Sequence, residues 1–473
     1  MKTPARFSTM LPGQFAAFSG MTNTRFPGVP STGMNQPDRT AIGHGNAARL
    51  FPLLLLCFLL ACTGQEAEPP APPSPPVSAS PDGVIDEERA SYTITVSAGS
   101  FDREETIVSL QFPGAVVPGY YQLTDDAGHS TALQVDDRNS GWFILDELPA
   151  GESKTYFFDG SQPMESVDEA ADETVLPVVD PGTVTFTVNG NPVLNYFHGD
   201  NDPPAELDER YRRGGYIHPV YSPEGVELTS HLDPDGHPHH AGIWSAWTNT
   251  RFNGNTPDFW NIHQNTGRVD IDTMHTLWSG AVHGGFRARH HFYDLSGDEP
   301  AVALNEQWEV RVYRSPEATD VLFFDLEVTQ TANTGHPLIL PEYRYGGIGF
   351  RGHPDWGDPG NCSFLTSGGL GRDGHATRAR WAHIGGYTGG QLAGIAVLGH
   401  PSNYRFPQTM RIHPVDPFFN FAPTQLGDMR IDPGNPYVAR YRFVTYDGDP
   451  DPGLIDRLWN DYAYPPGVTV HER

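Results

Sequence analysis

The sequence predicts an all-β protein: a large antiparallel β-sandwich, preceded by a small β domain and finished by one C-terminal helix. Three observations carry this. Short β-branched and aromatic runs alternate with period two along much of the chain. With 51 Gly and 44 Pro among 473 residues, turns are frequent and long helices few. A helical stripe is found only near the end.

Residues 1–61 read as an upstream segment and a lipoprotein signal peptide. The apolar run Leu50–Ala61 is shorter than the ~20 residues a spanning helix needs, but it suits a signal core, with Arg39 and Arg49 ahead of it. It ends in Leu59-Leu60-Ala61-Cys62, which resembles the lipobox of bacterial lipoproteins. Cys62 is therefore the expected lipidation site and Met34 the expected start of translation. Residues 62–88 form a linker: six of the eight residues 69–76 are Pro, a stiff polyproline spacer. Residues 89–180 are the small β domain, with strands expected at Ser91–Ser97, Ile107–Phe112 and Lys154–Phe158 and an acidic link at Glu165–Glu173.

The sandwich is expected over residues 181–473. Leu304, Trp308, Val310 and Val312 alternate with Asn305, Gln307, Glu309 and Arg311; Leu322, Phe324, Leu326 and Val328 repeat the pattern, as do Ala439, Tyr441 and Phe443. Glu306 is in phase with the apolar face, so it needs a partner such as Arg287 or Arg289, or serves as a catalytic acid. For the final helix, Asp451 is the cap, Pro452 sits in the first turn, and Leu454, Ile455, Leu458, Trp459 and Tyr462 form the packing stripe.

Composition excludes several classes. A net charge of −28 and a pI near 4.9 argue against binding nucleic acid through its phosphates. One apolar run cannot make a polytopic membrane protein. Once Cys57 and Cys62 are accounted for, Cys362 stands alone, so no intrachain disulfide or Cys-based metal motif is expected. There is no Walker A, nucleophile-elbow or dinucleotide-binding motif.

The densest chemistry lies in Tyr216–Trp247, which holds His218, His231, His237, His239 and His240 with Asp233 and Asp235: five of the chain's 20 His. Histidine moves protons near neutral pH and binds metals. Two functional readings follow, general acid–base chemistry or a divalent metal held by His237 and His239 among others; no cofactor is assigned. His231 is the histidine expected to be structural. A second constellation, Pro341–Gly352, sets Glu342, Tyr343, Arg344, Tyr345 and Arg351 among glycines. A third carries Arg378, Arg380, Trp381, Asn403 and Arg405, suited to hydroxyls or a carboxylate. Trp244, Trp247, Trp260 and Trp381 can offer flat faces to sugar rings.

These segments also carry a resemblance. HPVYSPEG (218–225), DGHPHHAGIW (235–244), DFW (258–260), EYRYGGIGFRG (342–352), TRARW (377–381) and GIAVLGHPSNYR (394–405) resemble a secreted bacterial family labelled "methane oxygenase PmoA-like" over residues 180–465. One departure is Gly236, which parts Asp235 from His237. The resemblance implies a β-sandwich similar to the galactose-mutarotase-like supersandwich, and carbohydrate as the substrate. The expectation is a carbohydrate-active enzyme, lipid-anchored in the cell envelope on the outer-membrane or periplasmic side, cleaving or isomerising a sugar or glycan as a hydrolase or lyase. His218, His239, His240, Glu342 and Tyr343 would be catalytic, and Trp244, Trp260, Arg351, Arg378, Asn403 and Arg405 would bind substrate. The alternatives are a non-catalytic glycan-binding surface lipoprotein and a metal-dependent enzyme using the His loop.

Overall fold

Strands dominate because nearly every segment alternates in burial. The computed structural model describes residues 91–160, 174–315 and 320–473, all within one unit, Asp82–Arg473. The signal and lipobox with Cys62, the Pro-rich linker and the acidic link Glu165–Glu173 lie outside the described residues. Among the described residues no helix is long and apolar enough to cross a membrane.

The N-terminal sheet has seven antiparallel strands in the order Arg103–Gln111, Ser140–Leu148, Ser130–Val135, Gly119–Asp125, Ser153–Asp159, Ser91–Ser97 and Gly467–Glu472. Tyr92, Ile94 and Val96 point into its core together with Leu123, Phe143 and Phe158. Its last strand comes from the far end of the chain, with Ile94 opposite Val470. The strand Val175–Asp180, assigned above to the small domain, instead pairs with Thr183–Val188 in the sandwich. The tight turn at Gly182, with φ +86, makes that hairpin local.

Two eight-stranded antiparallel sheets build the sandwich. The first runs Met410–Ile412, Phe418–Phe421, Gly347–Arg351, Ile243–Ala246, Tyr216–Val220, Asn191–Phe197, Thr183–Val188 and Val175–Asp180. The second runs Gly267–Trp278, His283–Asp294, Ala301–Tyr313, Val321–Ala332, Tyr437–Asp447, Gln391–Gly399, Trp381–Thr388 and Ser363–Thr366. Tyr196 of the first stacks on Phe286 of the second at 4.2 Å, and Trp308, Val310, Phe324 and Ile217 fill the layer between them. Helix Pro452–Ala463 is capped by Asp451, whose side chain accepts from the N–H groups of Gly453 and Leu454. Ile455, Leu458 and Trp459 cover the outer face of the second sheet at Trp381, Leu398 and Val444.

Glu306 does point inward and is paired, but its partner is not Arg287 or Arg289. His290 Nδ1 lies 2.9 Å from its Oε2, while Ser245 Oγ (2.5 Å) and Gln330 Nε2 (2.7 Å) donate to its Oε1. The chain of contacts continues from His290 Nε2 to Tyr196 Oη at 2.8 Å and from Gln330 to Trp247. Arg287 turns the other way, to Glu309 and Asp137. Glu309 is consequently buried, against the alternation, because the N-terminal sheet brings Arg138 onto that outer face.

Histidines enclosed away from water make the fold acid-sensitive. Burial pushes His383 down to about 3, in a slot between Tyr446 Oη and Ser363 Oγ, and pushes His218 down to about 2. Above pH 6.5 both are neutral whether folded or not. Below it the unfolded chain takes up protons that the native state refuses, and stability falls until pH reaches the folded values. Between pH 6.5 and 5 these two groups together remove about 3 kcal/mol, the slope rising toward ~1.4 kcal/mol per pH unit each as the unfolded histidines charge. Urea midpoints at the two pH values check this; equal midpoints would refute it.

Candidate functional site

The His-rich segment folds back on itself. Leu232 N–H donates to His240 O at 3.0 Å, and His240 N–H to His237 O at 2.9 Å. Gly242 then returns the loop onto Tyr216–Val220: its φ is +54, and a Cβ there would lie 2.1 Å from Ile217 O. Gly236 serves a different need, since a Cβ would lie 2.4 Å from Asp233 Oδ2, which faces Arg351 Nη2 at 3.5 Å.

His237, His239 and His240 line a cavity of about 270 Å³ with Trp260, Asn261, Arg344, Tyr345, Arg411, His413 and Phe418. Asp258 sets one wall: its Oδ1 accepts from the N–H groups of Trp260 and Asn261, and its Oδ2 from Asn261 Nδ2 at 2.9 Å. Asn261 Nδ2 also reaches Tyr345 Oη at 3.3 Å. His240 forms the floor, stacked on His237 (4.7 Å, 6°) and on Phe418 (4.9 Å), with Trp244 behind it at 4.8 Å. His239 meets His240 edge-on at 4.6 Å.

The imidazoles are held neutral. Burial, then His237 and His263, pushes His239 down to about 3; burial, then His239 and His237, holds His240 well below the usual imidazole value. His413 falls to about 4, with burial outweighing Asp416. Burial raises the Tyr345 phenol, so it keeps its proton. Asp416 Oδ2 lies 3.3 Å from His237 Nδ1, 3.2 Å from His413 Nδ1 and 3.9 Å from Arg351 Nη1. Asp416 N–H donates to His413 Nδ1 at 2.9 Å. One ligand atom from each of His237, His413 and Asp416 falls within 4.8 Å of the others, a set able to hold a divalent ion. His239 is not in that set.

The expected residues divide sharply. His237, His239, His240 and Trp260 line the cavity. Trp244 and Arg351 are buried immediately behind it. His218 lies elsewhere, bonded to Thr229 Oγ1 at 2.8 Å and packed on His231, which itself bonds Tyr216 Oη, as a structural histidine should. Glu342 is exposed, its N–H held by Asp428, and Tyr343 packs edge-on against Tyr345 without lining the cavity. Tyr343 and Tyr345 lie in the bend ahead of strand Gly347–Arg351, where strand phase does not apply, and only the second lies beside Trp260. Arg378 is spent on the carbonyls of Pro407 and Arg405, Arg405 on those of Pro423 and Gly427, and Asn403 on the backbone of Arg440. These three clamp loops and do not touch the cavity. Trp247 and Trp381 are core. Cys362 is buried, which pushes its thiol up to about 11.

Sequence reasoning missed His413, Asp416, Arg411 and Phe418. The signal was there: HPVDPFF (413–419) repeats the His-Pro pairing of the loop it packs against.

No curated protein matches the chain. A family model described as "Family of unknown function (DUF6807)" matches residues 183–460. That stretch spans every residue lining the cavity and all sandwich strands but Val175–Asp180, and the chain belongs to this family.

Proposed function

We propose that this protein is a lipid-anchored, carbohydrate-active enzyme that cleaves or isomerises a sugar by acid–base chemistry in the His-lined cavity. One observation carries the reading: residues 237–240, 260–261, 344–345 and 411–418, far apart in sequence, meet around a space sized for about one sugar ring. The lining combines groups that move protons, groups that hold oxygens and an aromatic wall. In this reading His239 takes a proton from the substrate and the Tyr345 phenol gives one, while Arg344, Arg411 and Asn261 hold substrate oxygens. Hydrolysis by a pair of carboxylates is disfavoured, because among the described residues no carboxylate lines the cavity and both Glu306 and Glu342 are elsewhere. The resemblance of the sequence to the PmoA-like secreted family supports a sugar substrate, and the lipobox ending at Cys62 supports the anchor and an envelope location. Turnover of an oligosaccharide panel by the purified protein tests the proposal. Binding without turnover of any member would replace it with the glycan-binding alternative.

The ligand geometry of His237, His413 and Asp416 favours a second reading, in which a divalent ion assists the same chemistry. The expected result is that zinc added to chelator-treated protein raises the melting temperature of the wild type and not of Asp416→Asn. Equal shifts in both would end that reading.

A further inference from the structure

Two guanidinium groups at the cavity have no counter-charge of their own. Arg344 and Arg411 both line it, and among the described residues neither side chain makes an ion pair or a hydrogen bond. Arg344 does no more than lie over the rings of Tyr345 and Tyr343, at 5.5 and 6.0 Å. Arg411 is half-buried, and its charge is opposed first by burial and then by Arg344. Asp416 and Tyr345 act on Arg411 in the opposite sense, but Asp416 lies outside ion-pair distance of it and already faces His237, His413 and Arg351.

This arrangement does not come from a shortage of acids. The chain has 58 Asp+Glu against 30 Lys+Arg, and Arg351, Arg380, Arg440 and Arg442 all have carboxylate partners. Arg344 is exposed and Arg411 half-buried, and holding two like charges side by side costs stability that Asp416, beyond ion-pair distance, offsets only in part. An anionic ligand would return it, and a guanidinium pair suits the two oxygens of a carboxylate.

We propose that Arg344 and Arg411 clamp the carboxylate of a uronic acid residue, so that the substrate is an acidic sugar. The proposal rests on the cavity being the active site. It also selects among the reactions open to that site. A carboxylate whose charge is shared with two guanidinium groups acidifies the C–H beside it. His239 takes the C5 proton, the C4–O bond breaks as the C4–C5 double bond forms, and the Tyr345 phenol proton goes to the departing oxygen. This β-elimination balances with no oxidant or co-reactant.

Calorimetry on the purified full chain tests the clamp, using D-glucuronate and D-galacturonate, their neutral counterparts D-glucose and D-galactose, and inorganic sulfate. The uronates should bind about tenfold or more tighter than the neutral sugars and than sulfate. Arg344→Gln and Arg411→Gln should each weaken uronate binding by about tenfold, a clearly larger loss than either causes for the neutral sugars. Arg411→Gln should keep or raise the melting temperature, because it removes an uncompensated charge; a marked fall would show Arg411 to be structural and overturn the clamp. Equal affinity for neutral sugars or for sulfate, or full uronate affinity in both variants, would also overturn it. Uronate binding with no turnover of any oligosaccharide would sink the enzymatic reading and leave the clamp standing. Wild-type turnover of neutral glycans by the Arg344→Gln/Arg411→Gln variant would do the reverse.

Discussion

Tyr345→Phe is expected, on the proposed mechanism, to lower kcat on a cleaved glycan by about 10²- to 10⁴-fold, the usual worth of a general acid, with little change in stability. The substitution removes one hydroxyl, whose contacts are with the Asn261 side chain at the cavity wall. Asn261 stays held by Asp258 and Thr248, so the wall survives the loss. On the same mechanism His239→Gln has an effect of the same size, because it removes the proposed proton acceptor. On the proposed mechanism the double variant falls little further than the worse single one, since the two groups act in the same elimination step. Steady-state kinetics beside a urea titration decide the matter. Full activity in either folded variant would show that the chemistry is done elsewhere.

Glu306→Ala costs about 3–5 kcal/mol of folding stability, the range for breaking a buried pair from one side. His290, Ser245 and Gln330 would be left facing one another in a layer where all are almost completely enclosed. His290→Ala is similarly destabilising. Their combination costs clearly less than the two added together, because both remove the same interaction. Chemical denaturation of the four proteins measures this coupling; additivity to within about 0.5 kcal/mol would show that the network is not one cooperative unit.

Period-two patterning was enough to read the all-β class and the strands around Trp308 and Phe324, and the Asp451 cap with its helical stripe was enough to read the last helix, because those signals are local. Glu306 was legible as an inward carboxylate for the same reason. Its partner was not, since which strand lies alongside is decided by pairing and not by phase. The site divides along that line. His237, His239 and His240 stand out by their density in one loop. Arg378, Asn403 and Arg405 looked equally suited to a substrate, but a polar side chain's partner depends on which backbone carbonyls tertiary folding leaves open. His413, Asp416 and Arg411 come from a short edge strand and the turn after it, whose adjacency to the loop is a tertiary fact. The boundary at residue 180 failed because a tight hairpin at Gly182 outweighs a change in composition.

The strand Gly467–Glu472 ties the biogenesis of the first β domain to the last residues of the second. Until it is made, Ser91–Ser97 has a neighbour on one side only, Ser153–Asp159, and presents a bare row of amides and carbonyls on the other. On the ribosome this early domain waits, one strand short, for nearly the whole sandwich to follow. Premature termination anywhere in that interval releases a chain with a sticky flank, which a chaperone or a protease must then intercept.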